Sequence, residues 1–252
     1  NSNIALMLYD TYKIEDITGN IIVRNQKVSM NNAGLRMLGG KIISNGYYET
    51  TNPENPTFSF DLDVQKLDVK QTTTTFNTVE KLAPLFKSAE GAYSTKMNIV
   101  GTLDKHYEPL EKTLNGGGDL RTHGVVVKNF APLVKLSEKL KRDDIKEPRL
   151  DDVKITFAII EGKVHVQPFD VKTGNVTTTI YGWNALDQSL EYHMNIAVPS
   201  SEFGGTANQA AQTVLDMFKD KTGASVDLPK IINIKAKITG TVDEPKISLD
   251  FP

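Results

Sequence analysis

A chain of 252 residues is long enough to bury a substantial core, as one large β domain or two small ones. Its 29 Lys and Arg against 31 Asp and Glu leave a net charge of -2, which supplies no polycationic surface for nucleic acid. At 39% hydrophobic residues the chain is not expected to be disordered, and without cysteine it has no disulfide, no Cys-ligated zinc and no thiol chemistry.

The start, Asn1-Ser2-Asn3-Ile4-Ala5-Leu6, carries no basic-then-apolar signal pattern. No stretch approaches the ~20 apolar residues that span a bilayer. The opening reads as the middle of an element, so any membrane anchor is expected outside this piece.

Along the chain the governing signal is alternation with period two. Phe58, Phe60, Leu62 and Val64 alternate with Ser59, Asp61, Asp63 and Gln65. Phe76, Val79, Leu82 and Phe86 then form a helical stripe, interrupted at Pro84, and predict a helix near 76–89. Tyr93, Thr95, Met97 and Ile99 resume the strand pattern. Pro132 followed by Leu133, Leu136 and Leu140 predicts a second helix over 131–142, since proline suits a first helical turn. The mixed-charge cluster from Lys139 to Asp152 reads as a solvated linker. It leaves one elongated domain, or two sub-modules at 1–143 and 151–252.

Beyond it Val153, Ile155, Phe157 and Ile159 alternate, then Val164 and Val166 after the Glu161-Gly162 turn, then Val176, Thr178 and Ile180. Leu190, Tyr192, Met194, Ile196 and Val198 follow, and after a predicted helix over 206–221 come Ile232, Ile234, Ala236 and Ile238, with Ile247, Leu249 and Phe251 closing the chain. Each run presents one apolar and one wet face, and turns rich in Gly, Asn and Asp favour antiparallel meanders. The expected fold is mainly β: a large, curved, mostly antiparallel amphipathic sheet, groove- or sandwich-like, with about three short helices. So few helices cannot cover the apolar face of roughly a dozen strands. The sheet must fold onto itself, form a trough, or hold something amphiphilic.

Repeats are weak. Gly39–Gly46 resembles Gly117–Gly124, and Leu82–Lys87 resembles Phe130–Lys135, but the offsets are 78 and 48 residues, so no solenoid period exists.

Motifs with chemistry are scarce. His106, His123, His165 and His193 are dispersed, without metal-ligand spacing. There is no Gly-x-Ser-x-Gly elbow. Gly116-Gly117-Gly118 fails both phosphate-loop patterns and reads as a bulge or close backbone approach at the start of a strand. Asp61 and Asp63 lie on the wet side of their strand, and Asp151 and Asp152 where another begins, so all four read as solvated carboxylates. Trp183 reads as a packing anchor before a sugar platform. No catalytic residue, metal site or cofactor is expected. An enzyme on a β scaffold, acting on glycans, is the least favoured class.

Three stretches in order resemble the AsmA-like family of Gram-negative envelope proteins, especially its Bacteroidetes type. These are Gly39-Gly40-x-Ile42 to Tyr48 with Phe58–Val69 and Phe76–Pro84; Leu103-Asp104 through Leu114–Leu120 to Leu133–Leu140; and Glu161–Val164 to Val171 with Gly182, Leu186-Asp187, Val198-Pro199, Gly240-Thr241 and Pro245-Lys246. Coverage runs from about Ile17 to the end. The resemblance implies an inner-membrane anchor in the full-length protein, a periplasmic location and a part in outer-membrane biogenesis. For larger relatives it implies phospholipid carriage along a β-groove. It offers no catalytic residues.

The candidate lipid-groove residues are accordingly Phe58, Phe60, Leu62, Val64, Met97, Ile99, Ile155, Phe157, Ile159, Val164, Val166, Ile180, Tyr192, Met194, Ile196, Ile234 and Ile238. Their expected partner is a phospholipid or other envelope lipid, held by burial of acyl chains at about 25 cal/mol per Å². Asp61, Asp63, Lys96, Lys154, Lys235 and Lys237 keep the other face soluble. The alternative is an interaction module that assists outer-membrane protein assembly through exposed strand edges and binds other envelope proteins.

Overall fold

A computed structural model describes residues 2–9, 12–200, 216 and 230–250. Strands make up 63% of it, and they form one large antiparallel sheet that does not close. The first five are β1 (Ser2–Tyr9), β2 (Tyr12–Arg24), β3 (Lys27–Met37), β4 (Gly40–Glu49) and β5 (Thr57–Asp68). An insert follows, made of α1 (Val69–Thr75), α2 (Asn77–Leu82) and a 3-10 turn at Pro84–Ser88. Then come β6 (Ala89–Thr102), a 3-10 turn at Glu111–Thr113, β7 (Asn115–Val127), α3 (Ala131–Leu140), a 3-10 turn at Asp143–Ile145 and the two-residue β8 (Arg149–Leu150). The second half comprises β9 (Lys154–Ile160), β10 (Lys163–Thr173), β11 (Val176–Ala185), β12 (Ser189–Pro199), β13 (Ile231–Thr241) and β14 (Pro245–Asp250). The helix expected over 206–221 lies outside the described residues.

Spatial order follows chain order from β1 to β14, with β8 alone off that path and paired to β7. β7 bonds β9 directly, from Gly116–Ile159 to Arg121–Lys154, so residues 1–143 and 151–252 contribute to one sheet. The charged stretch between them is not a detached linker. It forms the end of α3, a 3-10 turn and β8, and it buries Leu140 and Leu150.

The sheet must curl, because α3 leaves β7 yet packs against β14, where the Lys139 ammonium donates to the Ile247 carbonyl at 2.5 Å. Six inter-strand steps separate β7 from β14 in the strand order. Laid flat at ~4.8 Å per step they would span about 29 Å. A ten-residue helix reaches only about 15 Å. Both margins of the curl meet the helices, so the helical side is the concave side. Leu133, Leu136 and Leu140 of α3 join Val69 of α1, Phe86 and Tyr93, and Ile234 and Ile238 of β13, in one buried cluster.

Local chemistry explains the helices. At α1 the Asp68 carboxylate accepts from the Gln71 amide at 2.7 Å, capping the first turn. Each threonine hydroxyl from Thr72 to Thr75 bonds a carbonyl one turn back, at Asp68, Val69, Lys70 and Gln71 respectively. The helical stripe over 76–89, expected to be interrupted at Pro84, forms two short pieces. Extended Phe76 separates α1 from α2, and Pro84 opens the 3-10 turn because it cannot donate into a continuing helix. α3 matches its expected span within two residues and stops at Lys141, which takes a left-handed conformation.

Candidate functional site: the concave apolar face

Register carries the sequence pattern across the sheet. Leu62 stands opposite Met97, Met97 opposite Gly118, Gly118 opposite Phe157, and Phe157 opposite Val166. Val166 then faces Gly182, Gly182 faces Tyr192, and Tyr192 faces Ile238. A parallel row runs Phe60, Ile99, Gly116, Ile159, Val164. Val64 reaches Ile155 through Thr95 and Leu120, while Ile180 faces Met194, Ile196 faces Ile234 and Phe58 faces Gly101. Directly opposed residues share a face, so all the candidate apolar residues lie on the concave side.

They do not share one environment. Val64, Ile159, Val164, Met194, Ile196, Ile234 and Ile238 are buried, with Ile196 2% and Ile234 0% exposed. Phe58, Phe60, Leu62, Met97, Ile99, Ile155, Phe157, Val166, Ile180 and Tyr192 are half-buried. Near α3, the Met194 and Ile196 side of the face is therefore sealed core. The more open stretch surrounds a smaller cluster of Leu114, Ile159 and Val164, against which Phe58, Met97, Ile99, Phe157 and Val166 pack. Phe58 and Phe60 stack with centroids 5.9 Å apart.

Glycines shape this stretch. A Cβ on Gly116 would sit 2.1 Å from the Asn98 carbonyl oxygen, and its φ of 155° is one that side chains rarely adopt. Gly101 has Leu114 and Phe58 directly over it, 2.6 and 2.9 Å from where its Cβ would stand. The loop ending at Leu114 thus folds over this end of the face. The triple-glycine run is the close backbone approach that its sequence suggests.

The floor is polar at one buried point. The Tyr192 hydroxyl donates to Asn184 Oδ1 at 2.9 Å, and Asn184 Nδ2 donates to the Leu82 carbonyl at 3.1 Å, tying β12 and β11 to α2. Burial pushes the Tyr192 hydroxyl far above its ordinary range, so it remains a neutral donor.

The convex face is a ladder of cross-strand charge pairs. Lys96 meets Asp63 at 3.5 Å, Lys154 meets Asp119 at 3.4 Å, and Lys237 meets Glu191 at 3.1 Å. Asp61 is exposed there. Trp183 also lies on this side, with the Lys163 ammonium 4.5 Å from its ring centroid, and Tyr181 stacks on His193 at 5.1 Å. Among the described residues no three His, Asp or Glu converge as a metal site, and no helix is long and apolar enough to cross a membrane. One arrangement gave no sequence signal: Ser94 and His123, 29 residues apart, meet on the convex side at 2.9 Å.

No protein-family model, curated protein or solved structure matches the chain.

Proposed function

We propose that this chain is a non-enzymatic module of the AsmA-like kind, which holds the acyl chains of an envelope lipid along the half-buried stretch of its concave face. The observation that carries the reading is the register. Half-buried apolar side chains from β5, β6, β7, β9, β10, β11 and β12 line one side of a curled sheet that remains open. Such a surface binds by area, at about 0.8 kcal/mol for each methylene withdrawn from water, and requires no directional contact. The charge ladder on the opposite face keeps the same strands in water. The periplasmic side of the envelope and an inner-membrane anchor beyond this piece belong to the proposal through the resemblance.

Gentle purification followed by native mass spectrometry tests it, with co-purified phospholipid as the expected result. A fluorescent phospholipid should bind the parent protein and bind Ile99→Asp weakly. A parent protein that neither carries nor takes up lipid removes the proposal. In that case β1 and β14, the end strands of the described sheet, favour the second reading, an interaction module that pairs with strands of envelope proteins.

A further inference from the structure

On the convex face, away from the apolar stretch, lies an open hollow of about 690 Å³ lined by Arg36, Lys41, Lys66, Ser94 and His123, with Asp16 at its side. Its shape comes from backbone irregularity. Register breaks between Glu15 and Thr18 on β2, between Val64 and Leu67 on β5, and between Glu90 and Ala92 on β6. Bulges bend strands locally, and three of them at one level turn a convex surface inward. Lys66 sits inside its bulge at φ 54°, a left-handed conformation that costs energy for a side-chain-bearing residue. Gly40 packs tightly against that bulge, since a Cβ there would stand 2.3 Å from the Gln65 carbonyl oxygen.

The charges are out of balance. Several lysines on this face stand beside carboxylates across the strand, as Lys96, Lys154 and Lys237 do. In the hollow, Arg36 has only a long 3.9 Å contact with Asp16. Among the described residues Lys41 and Lys66 have no ion-pair partner. Both Glu15, opposite Arg36 in register, and Asp16 lie on the Arg36 side, so the cations left without an ion-pair partner are Lys41 and Lys66. A hydroxyl and an imidazole line the hollow beside the cations. The Lys66 amide donates to Ser94 Oγ at 3.0 Å, and Ser94 Oγ lies 2.9 Å from His123 Nε2.

We propose that this hollow is a binding site for a phosphate or phosphomonoester dianion, held by Arg36, Lys41 and Lys66, with Ser94 and His123 lining it. The two ammonium groups without ion-pair partners suit an anion, and guanidinium and ammonium donors are the ordinary partners of phosphate oxygens. The site is separate from the apolar stretch, so its fate does not depend on lipid binding there.

Calorimetric titration of the whole chain with inorganic phosphate and with glycerol 3-phosphate, and flotation with phosphatidylcholine vesicles with and without phosphatidic acid, test it. Saturable binding of one of the soluble anions, or flotation that requires phosphatidic acid, is expected, and the arm that responds identifies the source of the phosphate. The double variant Lys41→Gln/Lys66→Gln should bind at least about tenfold more weakly, because each removed cation takes a charge-assisted bond with it. Lys96→Gln, on the same face outside the hollow, should bind like the parent. Both variants change exposed side chains and should keep the parent's thermal unfolding midpoint. Absence of binding in every arm, or equal weakening by Lys96→Gln, overturns the site.

Discussion

Asn184 shows how much one polar side chain can organise. It is 4% exposed, and its amide satisfies both the Tyr192 hydroxyl and the Leu82 carbonyl. Truncation leaves the part-buried Tyr192 hydroxyl and Leu82 carbonyl without this partner, each costing desolvation that bonding had offset. Asn184→Ala is therefore expected to destabilise by about 1–3 kcal/mol, measured as a lowered urea midpoint with unchanged slope. A companion pair of variants separates sealed from open apolar surface. Ile196→Asp buries an unpaired charge and should cost roughly 3–5 kcal/mol. Ile99→Asp, half-exposed, should cost clearly less because its carboxylate reaches water. Equal losses at the two positions would mean that the face is core throughout. Alternation alone assigned both isoleucines to one face. It carried no information on burial, because what covers a strand comes from elsewhere in the chain.

Among the elements, α1 escaped sequence reading for a physical reason. Val69-Lys70-Gln71 followed by four threonines is β-branched and poor in intrinsic helix formers. It is helical because Asp68 caps it, the hydroxyls bond back along it, and Val69, Thr72 and Thr73 are buried. The available signal was an Asp that closes a strand pattern just before a non-alternating run. Asp68→Ala should remove about 1 kcal/mol, read by urea unfolding. α3, by contrast, was legible because proline, leucine spacing and terminus all agreed. Its Leu136 is 0% exposed, so Leu136→Ala should cost about 2–5 kcal/mol in the same assay. A loss under 1 kcal/mol would mean that α3 is a loosely held cover. The convex hollow was illegible for a different reason. Its residues come from six strands, and bulges, which shift register without altering composition, bring them together.

At the scale of the whole molecule the convex ladder predicts how stability responds to acid. A hydrogen bond from Thr156, then Lys154, holds Asp119 below the usual carboxylate range; Arg121 does so for Asp152, and His193 followed by Lys237 for Glu191. A carboxylate whose folded pKa is depressed contributes stability above its unfolded value of about 4 and loses it as pH falls through the folded value. The urea midpoint should therefore be lower at pH 3 than at pH 7. An unchanged midpoint would show that water and salt already screen these exposed pairs to nothing.

The strand order also governs how the molecule comes apart. Apart from the β7–β9 junction across α3, neighbouring strands in the sheet are neighbours in the chain. Contacts of that kind resemble a stack of repeats, in which each unit depends mainly on the next. Opening can then start at a weak margin and advance by hairpins instead of spreading everywhere at once. The first margin is the weaker one. β2 and β3 bury only Ile17, Ala33 and Gly34 along their described lengths and leave Val23 74% exposed, whereas β12 and β13 hold a run of isoleucines near zero exposure. Native-state hydrogen exchange should show protection rising in steps from β2 toward β13, with amides within one hairpin exchanging together. Uniform protection across the sheet would mean that the fourteen strands melt as a single cooperative body.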